Sequence, residues 1–295
     1  MRRITRRTGL FASLLLPLIA AGSAVPAQSS DPVDRDTRIL SIGGSVTEIV
    51  HALGAGDLLV ARDSTSSYPA SVTDLPDVGY MRALSPEGVL SVDPDLILAE
   101  ADAGPPEAID VLEAAGIPMV TIPDAMDRAG LLAKVEAVGA ALDLEEEAEA
   151  LSQEIGARLD AALERAETDT PARVLFVLSS ENGRIMASGT GTAADGIIAL
   201  AGATNAVTAF AGYKTLTDEA VAEAAPDVVL MMEGRGGHGS DDAVLKLPAF
   251  AGTPAARDGA IVRMDGLLLL GFGPRTPEAV ERLSDAIAQV RGDDG

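Results

Sequence analysis

Tyr80 and Arg82 stand two residues apart in Gly79-Tyr80-Met81-Arg82-Ala83-Leu84-Ser85-Pro86-Glu87. A phenol is ordinarily a poor metal ligand, because its unperturbed pKa is about 10. A cation held beside it favours the phenolate. A phenolate is a hard, anionic oxygen suited to ferric iron, and tyrosine is one of the axial ligands that proteins offer to haem iron. Taken alone the pair reads equally as a loop aromatic beside a solvated charge, so the rest of the chain has to weigh it.

Two acids carry a second signal. Glu87 follows Ser85-Pro86, a helix start with a capping serine and a proline in the first turn. Glu219 follows Thr217-Asp218 in the same way. First-turn acids complement the helix dipole wherever they occur. These two also recur at matching places. Ser85-Pro86-Glu87 precedes Pro94-Asp95-Leu96-Ile97-Leu98 by the interval that separates Thr217-Asp218-Glu219 from Pro226-Asp227-Val228-Val229-Leu230. Each half of the chain is therefore expected to hold a capped helix, a Pro-Asp corner and a buried strand.

The elements that must position these residues follow from the pattern. Strands are expected at 38–42, 58–62, 95–99 and 119–122, alternating with helices over 45–53, 85–93 and 105–115. This predicts a doubly wound α/β lobe with a parallel-type sheet over residues 36–125. Residues 126–168 contain helix formers and no proline, and link the lobes as one long helix or as two helices bent near 139–143. Unbroken, such a run would reach roughly 60 Å. The strand/helix alternation resumes over 170–295. Two similar α/β lobes joined by a helix leave a cleft between them, where ligands favour binding.

The N-terminus reads as an export signal over residues 1–27. Arg2, Arg3, Arg6 and Arg7 precede an apolar stretch, residues 10–21, that is too short to anchor, and Val25-Pro26-Ala27 offers a cleavage site. Sec and twin-arginine export both fit. Cleavage leaves about 268 residues, enough for two lobes. It removes four arginines and no acid from a chain whose formal charge is already −23, which excludes nucleic acid as a partner. The chain has no cysteine, so it lacks the residue a lipoprotein anchor requires and must hold together by core burial. The expected product is a free periplasmic protein.

Together these features resemble the periplasmic substrate-binding proteins of haem-type ABC importers, in the class shared with cobalamin and siderophore binders. The resemblance covers nearly the whole mature chain. It is clearest at Ser41-Ile42-Gly43-Gly44-Ser45-Val46-Thr47-Glu48-Ile49, at 79–88, at Gly191-Thr192-Ala193-Ala194-Asp195 and at Gly271-Phe272-Gly273-Pro274-Arg275-Thr276-Pro277. It implies haem b as the transported ligand, Tyr80 as axial iron ligand and Arg82 as the cation favouring its phenolate. It implies Arg275 near the propionates, where a planar guanidinium can bind carboxylates bidentately. Glu87 and Glu219 would dock on an ABC permease dimer at the inner membrane, with an outer-membrane haem receptor left open as the upstream source. Some relatives carry a histidine in the loop after the first strand of the second lobe. Here that loop, residues 179–183, has none, which argues against a second ligand from it. Of the two histidines, His51 reads as structural, and His238 lies in a glycine-rich loop from which it could cap the ligand. Tyr213 could line the cleft.

The alternative cargo on the same fold is a ferric siderophore or cobalamin. Three tyrosines and no tryptophan favour haem, whose faces pack on aliphatic side chains. The sequence has no Gly-x-Ser-x-Gly elbow, P-loop or HExxH motif and no cysteine nucleophile, so capture is expected rather than catalysis.

Overall fold

The computed structural model describes residues 36–233 and 241–292. The leader and His238 lie outside the described residues. The first lobe comprises β1 (Ile39–Ile42), α1 (Gly44–Ala52), β2 (Leu59–Arg62), α2 (Pro86–Leu90), β3 (Leu96–Glu100), α3 (Pro106–Ala114) and β4 (Met119–Ile122). Its sheet has the order β2-β1-β3-β4 with every pairing parallel. Strand alternation divides its side chains. Leu40, Ile42, Ile97 and Ala99 pack on one face, while Ile39 and Leu98 pack on the other.

Two helices follow, α4 (Arg128–Ala141) and α5 (Glu145–Ala166). The expected linker is thus bent rather than continuous. The break falls at residues 142–144, where Asp143 adopts φ 52° and the Leu142 and Leu144 amides both donate to the Gly139 carbonyl. The two helices form an antiparallel hairpin. Gly139 faces Ala148 so closely that a side chain at 139 would collide with it. Gly156 faces Leu132, and Arg128 grips Asp160 through Nε and Nη2 at 2.6 and 2.8 Å. Only α5 then carries the chain onward, about 33 Å at 1.5 Å per residue.

The second lobe comprises β5 (Arg173–Ser179), β6 (Ile185–Ser188), α6 (Ala193–Leu200), β7 (Thr204–Asn205), β8 (Tyr213–Leu216), α7 (Asp218–Ala224), β9 (Val228–Met232), α8 (Asp241–Leu245), α9 (Pro254–Asp258), β10 (Ile261–Met264), α10 (Gly266–Leu270) and α11 (Thr276–Arg291). The path β10-β9-β5 is parallel, as expected. β6 and β8 depart from expectation by joining antiparallel, and β7 pairs beside β5. The cause is local. Asn182 and Gly183 take φ 54° and 74°, and the Arg184 amide donates to the Glu181 carbonyl. An Asn-Gly pair in this left-handed conformation reverses the chain as a hairpin.

The internal repeat extends to hydrogen-bond detail. The Arg38 amide donates to Asp95 at 2.9 Å, and the Arg173 amide donates to Asp227 at 2.8 Å. Each arginine side chain reaches carbonyls at the end of a later helix or between it and the Pro-Asp corner after it, of Val92 and Asp93 in one lobe and Ala224 in the other. Asp93 and Ala225, each just before a proline, both adopt positive φ. One apolar core runs from α1 through the α4–α5 hairpin into the second sheet. Continuous burial of this kind resists separation of the lobes.

Candidate functional site

Alternation along Tyr80-Met81-Arg82 sets up the site. Met81 is buried and anchors the loop, while Tyr80 and Arg82 turn outward. The loop is stitched in place. The Ala83 amide donates to the Tyr80 carbonyl, the Gly104 amide to Met81 and the Leu84 amide to Gly104, all at 2.8–2.9 Å. Arg82 Nη1 donates to the Tyr80 hydroxyl at 2.9 Å. Its Nε and Nη2 go to Asp102 Oδ2, the former at 2.8 Å. Burial opposes the charge on Arg82, but the bonds to Asp102 and Tyr80 outweigh it and hold the guanidinium protonated. Tyr80 as a whole remains 40 % exposed.

Tyr213 begins β8 in the second lobe, with the ring of Phe176 edge-on at 6.3 Å. Its phenol is close enough to feel Arg82 and Tyr80. Burial raises its pKa above the ordinary value, against the opposing influence of Thr192, Arg82 and the Ala194 amide. The structure therefore brings Tyr80, Arg82 and Tyr213 together from two lobes.

Arg275 is engaged within the protein. It lies just before α11, and its Nε donates to Glu48 on α1 at 3.0 Å while Nη2 also reaches that carboxylate. Its guanidinium also stacks 3.7 Å from the ring centroid of Tyr68. The bidentate fork expected for a propionate is thus engaged by Glu48, leaving Nη1. Burial outweighs the pull of Arg275 and raises the pKa of Glu48.

Glu87 and Glu219 are exposed in the first turns of α2 and α7, under the caps of Ser85 and Thr217. The Glu219 amide and the Thr217 hydroxyl hold the Glu219 pKa below its usual range. His51 is exposed near the end of α1, against Gly56.

Sequence reasoning missed the charged floor beneath these residues. Lys134 on α4 is fully buried. Its ammonium donates to Asp124 at 2.7 Å and Ser45 at 3.0 Å, and lies 3.4 Å from the Gly271 carbonyl and 3.5 Å from Glu100. Glu100 also accepts from Ser45. Burial lifts the Glu100 pKa to about 6, with Lys134 and Ser45 pulling it down and Asp124 pushing it up. Carboxylate oxygens of Glu100, Asp102 and Asp124 lie within 4.8 Å of one another. The cations facing this acidic group are Lys134 and Arg82. A lysine within the apolar stripe Leu131, Val135, Val138 and Leu142 was the signal available in the sequence.

Two α/β lobes, a helical hairpin tying them and an open phenol facing the opposite lobe define a two-lobed ligand-binding protein. The periplasmic binding protein family model matches residues 39–267, and the chain belongs to that family. Among solved structures it is similar to the periplasmic heme-binding protein BhuT in complex with two hemes, at 42 % identity and a TM-score of 0.82, covering 86 % of this chain and 98 % of that one. It is also similar to the periplasmic heme-binding protein RhuT from Roseiflexus sp. RS-1 in apo form, at 37 % identity and a TM-score of 0.82, covering 87 % and 99 %. A curated relative from Bacillus subtilis (strain 168), the uncharacterized ABC transporter substrate-binding lipoprotein YvrC, is 29 % identical over 96 % of this chain and 97 % of its own length.

Proposed function

We propose that this chain captures haem b in the cleft between its lobes and delivers it to the permease dimer of an ABC importer, downstream of an outer-membrane haem receptor. The observation that carries this reading is the exposed Tyr80 phenol with Arg82 Nη1 2.9 Å from its oxygen. A fixed cation at that distance favours the phenolate that ferric iron takes as ligand. Tyr80 is the axial ligand and Arg82 its support. Tyr213, whose pKa is raised by burial, is less suited to become a phenolate and lines the opposite wall. Arg275 offers its remaining Nη1 to a propionate. Glu87 and Glu219, one per lobe, meet basic residues of the permease. The loop at residues 179–183 holds no histidine, which supports Tyr80 as the single protein ligand.

The lobes span residues 36–125 and 170–295, with 126–168 linking them. Residues 1–27 act as a cleaved export signal. Having no cysteine to lipidate, the mature chain is free in the periplasm.

Titration of the purified mature protein with haemin tests the reading. The expected result is a phenolate–haem spectrum that is lost in Tyr80→Phe and kept in Tyr213→Phe. An unchanged spectrum in Tyr80→Phe removes Tyr80 from the site. Retention of cyanocobalamin in equilibrium dialysis, with none of haemin, would move the assignment to the alternative cargo.

A further inference from the structure

We propose that Asp102 is the positioning residue for the phenolate ligand: it orients Arg82 so that Nη1 points at the Tyr80 oxygen. The inference rests on the reading of Tyr80 as haem ligand and extends it to a residue outside the Tyr-x-Arg motif.

The guanidinium has one Nε edge and two terminal nitrogens, five N–H donors in a rigid plane. Asp102 Oδ2 receives both Nε and Nη2, and these two contacts fix the plane. With the plane fixed, the position of Nη1 is fixed as well, and one of its two N–H donors meets Tyr80 at 2.9 Å. Both partners sit on turns that cannot drift apart. Arg82 lies within the turn closed by the Ala83 amide on the Tyr80 carbonyl, and Asp102 lies within the turn closed by the Ala103 amide on the Glu100 carbonyl. Gly104 ties the two turns together through Met81 and Leu84. Arg82 itself is more than half exposed. Without Asp102 it would be a surface arginine free to sample its rotamers, and binding would have to order it.

A charge effect and a positioning effect predict opposite signs. If Asp102 acted only by its charge, removing it would leave Arg82 less neutralised and strengthen its pull on the phenolate. If Asp102 acts by holding the guanidinium in place, removing it weakens the bond to Tyr80. The partly exposed position of Asp102 makes its replacement compatible with folding.

The test compares ferric-haem complexes of the full mature chain by their phenolate-to-iron charge-transfer band and by the rate of haem transfer to apomyoglobin. Asp102→Ala should shift the band in the same direction as Arg82→Ala and speed transfer about tenfold, as for loss of one bond to a charged group. The double variant should go no further than Arg82→Ala alone, because Asp102 acts only through Arg82. Asp102→Glu should restore part of the wild-type band. A wild-type band and rate in Asp102→Ala, a shift in the opposite direction, or additive effects in the double variant would overturn the proposal. Tyr80→Phe separates the two levels. If it keeps the band, the ligand assignment falls and this inference with it. If it abolishes the band while Asp102→Ala leaves it untouched, only the role of Asp102 falls.

Discussion

Glu48 and Arg275 are 227 residues apart in sequence and hydrogen-bonded in space, joining the helix that follows the first strand to the helix that closes the second lobe. The Glu48 carboxylate is almost wholly buried, and the stacked ring of Tyr68 covers the guanidinium from the other side. The pair acts as a strut between the lobes. A cleft whose two walls are braced in this way opens by a limited amount.

Arg275→Met should therefore destabilise the ligand-free protein by about 3 kcal/mol near neutral pH, the cost of leaving a buried charge without its partner. Glu48 already has a raised pKa, burial being the largest cause. Its unpaired charge is a penalty above its folded pKa and disappears as the carboxyl takes up a proton. The defect should thus shrink as pH falls toward the ordinary carboxylate range. Urea unfolding of the variant at several pH values measures it, and the double variant Glu48→Gln/Arg275→Met should recover part of the loss. A defect that grows on acidification would contradict this account.

Lys134→Met should be more damaging. The ammonium neutralises Asp124 and Glu100 in a buried setting, and its removal leaves two acids facing each other at an expected cost of about 3–5 kcal/mol. Adding Asp124→Asn should return a measurable part of that. Equal stabilities of the single and double variants, read from thermal and urea midpoints, would show that the acids do not depend on the lysine.

The legible parts of this molecule were those encoded locally. The Ser85 and Thr217 caps, the Pro94-Asp95 and Pro226-Asp227 corners and the strands after them all lie within a dozen residues of their own signals. The Tyr80–Arg82 contact was legible for the same reason, since residues two apart in a turn with a buried Met81 between them face one way. The bend in the linker was only half legible. Gly139 and Asp143 marked the place, but the antiparallel return depends on Arg128 meeting Asp160 and on Gly139 meeting Ala148. The antiparallel strands of the second sheet had a readable cause, Asn182-Gly183, which read as a plain loop when viewed for a missing histidine. Asp102, Lys134 and Glu48 were hidden because their partners lie 10 to 227 residues away. A charged residue gives no local sign of burial except its place on an apolar helix face; Lys134 had that sign, whereas Glu48, beside Gly44, Ser45, His51 and Ala52 on its helix, did not.

Glu100 should make stability depend on mildly acidic pH. Burial raises its pKa from 4.5 to about 6. The folded state therefore holds a proton that the unfolded state releases, and the stabilisation this gives is complete below 4.5 and lost as pH rises through about 6. The shift corresponds to about 2 kcal/mol. Glu100→Gln removes the titrating group while Asp124 still holds Lys134. The stability of the glutamine variant relative to wild type should rise by about 2 kcal/mol between pH 4.5 and pH 7.5. A relative stability that falls over that interval would mean that Lys134 holds Glu100 below the ordinary carboxylate range.

Glu87 and Glu219 should act after ligand capture, not during it. Both are exposed, both stand in the first turn of a capped helix, and the two helices occupy equivalent places in the repeat. Neither makes an ion pair among the described residues, so replacing them removes charge without breaking the fold. Exposed charges of this kind steer encounter and fix register with a partner more than they add affinity. Glu87→Ala/Glu219→Ala should bind haemin with wild-type spectrum and stoichiometry, yet lower uptake by the reconstituted transporter at least tenfold. Each single variant should give an intermediate rate, and the wild-type rate should fall with added salt more steeply than that of the double variant. Full uptake by the double variant would sink the docking assignment. A loss of haemin binding in the same protein would instead place these acids in the cleft.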